Sequence, residues 1–173
     1  MFGMEGMIGG RTASDMPGLD IAEQRSWQNF LDAALRLYAT LNKTLVDEHH
    51  LTLNDVRLLD MLDKSPSGSA RMGDLADALM SLPSRVTRQI RRLEAHNLVR
   101  RCASPDDGRG VLAIITDAGR EEVRKAMVTY GNEVRVHFLS RLSRPQIAAM
   151  GENCRRISAG LRADGPPARL GRV

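Results

Sequence analysis

Cysteine and aromatic residues are both scarce in this chain, and each scarcity limits what it can be. The two cysteines, Cys102 and Cys154, are too few for a disulfide framework, so a reducing cytoplasm is the expected compartment. Six aromatic residues in 173 mean that any core must be built from Leu, Ile, Val, Met and Ala. No run of about 18 apolar residues occurs, so no membrane-spanning helix is predicted. The opening MFGMEGMIGG lacks the basic and apolar regions of a signal peptide. Signatures of catalysis are missing too: there is no G-x-S-x-G, no H-E-x-x-H and no phosphate-cradling glycine loop. The expectation is a protein that is not an enzyme and carries no cofactor. For a metal, the one cluster of the right chemistry is His49-His50 beside Glu48. Neighbours on a helix point about 100° apart, so a solvated helix end, suited to the C-terminal dipole, is expected there and no metal.

What the chain does have is arginine. Its 25 basic residues comprise 22 Arg and 3 Lys against 21 acids, a net charge of only +4. Between Leu82 and Arg101 lie six arginines and one acid, Glu94, a local net of +5, so the positive charge is concentrated in one place. The stretch LPSRVTRQIRRLEAHNL, residues 82–98, predicts a helix. Val86, Ile90 and Leu93 fall at i, i+4 and i+7, the apolar seam of a helix packed on a core. Ser84, Thr87, Arg88 and Arg91 lie off that seam, and Pro83 sits in the first turn, where its missing N–H is not needed.

The flanks give that helix a context. MGDLADAL places Leu75, Ala76 and Leu79 at helical spacing before a tight turn at Met80 and Ser81. Val99–Cys102 and Val111–Ile115 are rich in β-branched residues and read as two strands around the turn formers SPDDGRG, Ser104 to Gly110. Helix, turn, helix and β-hairpin together predict a winged helix-turn-helix. A basic helix face alone is usually a solvated face. The helix-turn-helix spacing, with Arg109 at the hairpin tip, makes nucleic-acid binding the stronger reading.

Around this module the chain reads as helices. Residues 1–19 have no periodicity and are expected to form a disordered tail. A long helix is predicted from Ile21 to His49, with Trp27, Phe30, Leu31, Leu35, Tyr38, Leu41 and Leu45 as its apolar stripe. Thr52 with Asp55 predicts a cap, and Leu51 with Val56 a hydrophobic staple, for a second helix running to Lys64. Thr116 is expected to cap a helix of about 25 residues bearing Val123, Met127, Tyr130, Val134, Phe138 and Leu142 on one face. Ser143 and Gln146 suggest a capping box for a last helix, whose seam is Ile147, Met150, Cys154, Ile157 and Leu161. Residues 164–173 are expected to fray. The predicted organisation is a helical dimerisation region from 20–50 and 117–163 around a DNA-binding domain at 51–116. The outer helices carry more apolar face than a small module can cover, and a second copy of the chain is the simplest partner.

Three blocks, RMGDLADALM, PSRVTRQIRRLEAHNLVRR and SPDDGRGVLAIITDAG, follow in the order and spacing of the MarR family of bacterial transcriptional regulators, which the chain resembles over residues 21 to 163. Two positions depart from the family pattern. Leu82 stands where a capping serine is common, and Gly108 replaces the first of two wing arginines. The resemblance implies a mainly α fold with a small β-hairpin wing and dimerisation helices from both chain ends. It implies a homodimer on a palindromic double-stranded DNA operator, with recognition helices roughly 34 Å apart, acting as a repressor released by a small molecule. Ser84, Thr87, Arg88 and Arg91 are then the candidates for the major groove, and Arg85 and Arg92 for phosphates. Arg109 is the candidate for the minor groove, with Asp107 orienting an arginine. The family's effector pocket lies where the first helix, the second helix and the helix after the wing meet. Trp27, Phe30, Tyr38, Arg57 and Tyr130 are its candidates here, and an aromatic acid is the expected ligand class. Three alternatives stay open: a non-specific architectural binder, a winged-helix dimer that docks a protein, and a thiol-based sensor. For the last, Cys154 on the seam is expected to be buried and inert, and Cys102, which follows two arginines in the strand leading to the wing, is still read as an unreactive thiol.

Overall fold

Local capping chemistry sets most of the helix boundaries. The computed structural model of the chain describes residues 16–104 and 110–163. Its elements are α1 (Ile21–His49), α2 (Leu53–Lys64), β1 (Ser69–Arg71), α3 (Met72–Ala78), α4 (Pro83–Ala95), β2 (Val99–Ala103), β3 (Val111–Ile115), α5 (Asp117–His137) and α6 (Arg144–Ala163), with a 3₁₀ turn at Leu139–Arg141. The capping box on α2 is complete: the Thr52 hydroxyl accepts from the Asp55 N–H and the Asp55 carboxylate accepts from the Thr52 N–H. Leu51 and Val56, the staple pair, are both buried. Thr116 caps α5 by accepting from the Gly119 N–H at 3.0 Å.

Three helices end on a non-glycine residue in the left-handed region: His50, Met80 and Asn97, at φ 55°, 49° and 58°. The last two close Schellman motifs. Ser81 N–H reaches Ala76 O and Met80 N–H reaches Asp77 O, while Leu98 N–H reaches Leu93 O and Asn97 N–H reaches Glu94 O. These two motifs corner the chain on either side of α4. The second ends the helix at Ala95, short of the Leu98 that its apolar spacing suggests, because the left-handed Asn97 turns Leu98 back onto Leu93.

The strands form one antiparallel sheet in the order β1-β3-β2. β2 and β3 pair from Val99 with Ile115 to Ala103 with Val111, as the two-strand wing predicts. The third strand, β1, pairs Ser69 with Ile114 and Arg71 with Leu112. It is an addition to the expected hairpin, because Ser-Ala-Arg carries no β-branched signal. Two further boundaries differ. α5 has 21 residues and yields to the 3₁₀ turn rather than running on to Leu142. At α6, Gln146 Oε1 accepts both the Ser143 N–H and the Ser143 hydroxyl, so one half of the capping box is formed by the side chain of Gln146.

The chain divides into two compact units, one through Thr40 and one from Leu41 onward. In the second, Leu58, Leu59 and Leu62 of α2, Leu75 of α3, Val86, Ile90 and Leu93 of α4, Val99 of β2, Ala113 and Ile115 of β3 and Val123 and Ala126 of α5 are buried together with Leu45 of α1. Each large aliphatic side chain buried in this way contributes about 1.5–3 kcal/mol. Close approach fixes Gly119: a Cβ there would lie 2.1 Å from the Leu98 carbonyl oxygen. That contact and the Thr116 hydroxyl, which donates to Asn97 O at 2.7 Å, fasten the start of α5 to the chain leaving α4.

Apolar surface is left over elsewhere. In the first unit Trp27, Phe30, Leu31, Leu35 and Tyr38 of α1 are exposed, and in the second unit Ile157 and Leu161 of α6 are 56% and 71% exposed. Cys154, expected to be buried on the α6 seam, is exposed on this chain, because nothing in the described structure covers that end of the helix. Among the described residues, no helix is long and apolar enough to cross a membrane.

Candidate nucleic-acid interface

The recognition-type helix α4 is seated from below and bare above. Val86, Ile90 and Leu93 are 0%, 0% and 1% exposed, so the seam read from spacing is the seam that packs. Pro83 begins the helix, and Leu82 at the cap position makes no side-chain bond to it. Ser84, Arg85, Arg88 and Arg91 are exposed on the opposite side, with Thr87 half-buried between them. The Thr87 hydroxyl donates to the Pro83 carbonyl at 2.9 Å, which commits its proton and leaves its lone pairs for an incoming donor.

The six arginines of this stretch are not equivalent. Arg101 donates through Nε to Glu94 Oε2 at 2.8 Å and through its backbone N–H to Oε1 at 3.2 Å. That guanidinium holds the Glu94 carboxyl below the usual carboxylate range. Arg92 is also paired: its guanidinium donates to Asp55 of α2, and its side chain is 46% exposed. Arg85 and Arg88 form no ion pair among the described residues, and Arg91 acts on Glu94 only through space. Arg100 of β2 is also exposed without an ion pair among the described residues, and on α4 itself the uncompensated charge falls on Arg85, Arg88 and Arg91, on its exposed side. Guanidinium groups presented like this match phosphate oxygens and guanine edges.

Asp55 was legible in the sequence only as a cap. It lies three, four and seven residues before Leu58, Leu59 and Leu62, on the buried seam of α2, and it is fully buried itself. An ionised group on an apolar seam needs partners from another element. That spacing was the available signal.

The wing is present as the β2–β3 hairpin, closed by Ser104 N–H on Gly110 O at 2.8 Å. Asp107 and Arg109, expected at its tip, lie outside the described residues. Cys102 is half-buried in β2.

The residues expected around an effector fall on several elements. Trp27 and Phe30 are together on α1, ring centroids 6.0 Å apart at 37°, and Tyr38 is exposed on the same helix. Arg57 is exposed on α2 and Tyr130 half-buried on α5. A cavity of about 380 Å³ opens elsewhere, lined by Glu48, His49, His50, Arg92, His96 and Glu122 over Leu51, Leu93 and Leu98; none of the five expected residues lines it. His49 also departs from expectation. Rather than a solvated helix end, it is packed against α5, with Nδ1 3.1 Å from Glu122 Oε1 and Nε2 2.8 Å from Thr129 Oγ1. Its place at the last turn of α1 looked exposed in sequence because α5, which covers it, lies over 70 residues away. Among the described residues no group of three or more His, Cys, Asp or Glu is placed to hold a metal.

Comparison with known proteins agrees with this geometry. A model of the MarR family matches residues 51–111, the span from two residues before α2 to the first residue of β3. The helix-turn-helix-type transcriptional regulator YhbI of Bacillus subtilis is 32% identical over 108 residues, covering 61% of this chain and 69% of that protein. Among solved structures, AbsC of Streptomyces coelicolor, a MarR family transcriptional regulator, is 34% identical with a TM-score of 0.80, over 86% of this chain and all of that one. Sco3205 of the same organism, a MarR family regulator solved in complex with DNA, is 32% identical with a TM-score of 0.82, over 88% and 96% of the two chains. Sequence blocks, winged-helix geometry and relatives agree: the chain belongs to the MarR family of transcriptional regulators.

Proposed function

We propose that this regulator acts in the cytoplasm as a homodimeric repressor that inserts α4 of each copy into successive major grooves of a palindromic operator. The observation that carries the reading is the division of α4 between a fully buried apolar seam and an exposed face bearing Arg85, Arg88 and Arg91. In this reading Ser84, Thr87, Arg88 and Arg91 meet base edges and phosphates in the groove, and Arg85 meets a phosphate. Arg109 reaches the minor groove from the wing, with Asp107 orienting it. Dimerisation is supported by the exposed apolar residues of α1 and α6, and the relative solved with DNA supports the choice of duplex DNA as the partner. The domain division follows: 51–116 reads DNA, while 20–50 and 117–163 join the two copies. Release falls to a small aromatic acid, whose carboxylate Arg57 can pair and whose ring Tyr130 can pack. Such a ligand acts only by favouring one spacing of the recognition helices, so ligand and operator weaken each other equally.

Selection of duplexes from a random pool by the purified protein, at one fixed salt concentration, tests this directly. An inverted repeat with half-site centres about one helical turn apart is expected, bound by two chains. No enrichment over random duplex, or a single asymmetric half-site bound by one chain, would overturn it. Titration of benzoic and phenolic acids with and without that duplex tests release, and equal ligand affinity in the two cases would exclude it.

A further inference from the structure

One buried carboxylate on another helix is bonded to α4 at two points. Asp55 of α2 is 0% exposed and gathers four donors. Its Oδ2 accepts from the Thr52 N–H at 2.8 Å and the Thr52 hydroxyl at 2.6 Å. Its Oδ1 accepts from Gln89 Nε2 at 3.0 Å, and Oδ2 also accepts from the Arg92 guanidinium. Two of these donors hold the acceptor in place from its own helix cap. The other two come from adjacent turns of α4, three residues apart and so on one side of it. The rest of the seat beneath α4 is Val86, Ile90 and Leu93. Apolar contacts of this kind are non-directional and tolerate a small rotation or slide of the helix, whereas two hydrogen bonds to one fixed carboxylate do not. Arg88 and Arg91 directly precede Gln89 and Arg92 in sequence, so their directions follow from where that pair is pinned.

We propose that Asp55 is the positioning residue of DNA recognition: through Gln89 and Arg92 it fixes the rotation of α4, and Arg92 serves as a strut within the protein rather than as a phosphate ligand. The proposal rests on the reading that α4 enters the major groove. The cap makes the device rigid, because the carboxylate that grips α4 cannot turn without releasing the start of α2. It also separates the arginines by task. Arg92 is compensated and orients, while Arg88 and Arg91 are uncompensated and read.

The test uses the full-length protein, the selected duplex and a random duplex, with affinities measured across a range of salt. Arg92→Met keeps the side-chain stem and removes the strut. It is expected to weaken selected-duplex binding roughly tenfold or more while random-duplex binding and the salt slope stay near wild type. A phosphate ligand behaves differently: equal loss on both duplexes with the slope reduced by about one would overturn the proposal. Asp55→Asn should lose the same preference, and the double variant should be no worse than either single one, since the two residues act as a unit. Additive losses would overturn it, as would a lowered melting temperature with preference intact, the mark of a merely structural pair. Should Asp55→Asn fail to fold, Gln89→Met removes only the Oδ1 bond and must still reduce the preference. A wild-type protein that prefers no duplex would overturn the DNA reading itself, and this proposal with it, before any variant is made.

Discussion

Helices α4 and α6 carry the same kind of apolar seam and meet opposite fates. In α4 the seam residues Val86, Ile90 and Leu93 are at most 1% exposed. In α6, Ile147 and Met150 are half-buried, Cys154 is exposed, and Ile157 and Leu161 stand largely free. Periodicity identifies which face of a helix is apolar; it does not say what covers that face. For α4 the cover is the chain's own α2, α3 and sheet. For α6 the proposed cover is a second copy, and the two seams should respond differently to substitution.

The largest effect is expected at Ile90. Ile90→Ala should lower the unfolding free energy by about 2–5 kcal/mol in urea denaturation, because the cavity opens in a closed core. Ile157→Asp combined with Leu161→Asp should act on assembly instead, weakening self-association at least roughly tenfold by placing charge where apolar faces meet. Sedimentation of wild type and of this variant over a concentration series separates the cases. Identical profiles would mean that the α6 seam stays uncovered, and the contrast between the helices would then be one of exposure alone.

Smaller effects are expected on the exposed face of α4. Arg88→Ala and Arg91→Ala should each cost about 1–3 kcal/mol of operator affinity if the side chain is bidentate to guanine. If one meets only phosphate, the loss should appear equally on random duplex and the salt slope should fall by about one. Melting temperatures should hold near wild type in both, since neither side chain is part of the buried seam. Arg109→Ala should cost less, under about 1 kcal/mol, with the loss depending on A·T content at the site flanks.

The smallest effect concerns the base of α4. Arg101 holds the Glu94 carboxyl below its ordinary range, and an unfolded glutamate titrates near about 4.3. A depressed folded-state value gives stability that is present above the unfolded value and lost as pH falls through the folded one. Arg101→Gln should therefore lower the melting temperature slightly at neutral pH. The difference from wild type should vanish in acid where both proteins have protonated carboxylates, and a difference that persists there would assign the effect to packing.

Much of this architecture is legible in the sequence because it is local. The seam of α4, the Thr52 and Thr116 caps, and the β-branched strands of the wing all follow from spacing within about ten residues. What escaped reading depends on partners distant in sequence. β1 is a strand only because β3 pairs with it. His49 is packed only because α5 crosses it. Cys154 follows the seam pattern, yet none of the described residues covers it. Arg92 and Arg91 look alike in sequence, and what distinguishes them is a buried aspartate 37 positions before Arg92 on another helix. Charge counting over the stretch could locate the basic face but could not divide its arginines between those that orient and those that remain open.

The most direct measurement is the ratio of selected-duplex to random-duplex affinity, at one salt concentration, for wild type and for Arg88→Ala with Arg91→Ala. The wild-type ratio is expected to reach about 10³ or more. In the double variant it should fall toward one, with the association state and melting temperature unchanged. A double variant that keeps the wild-type ratio would show that the exposed face of α4 does not read DNA.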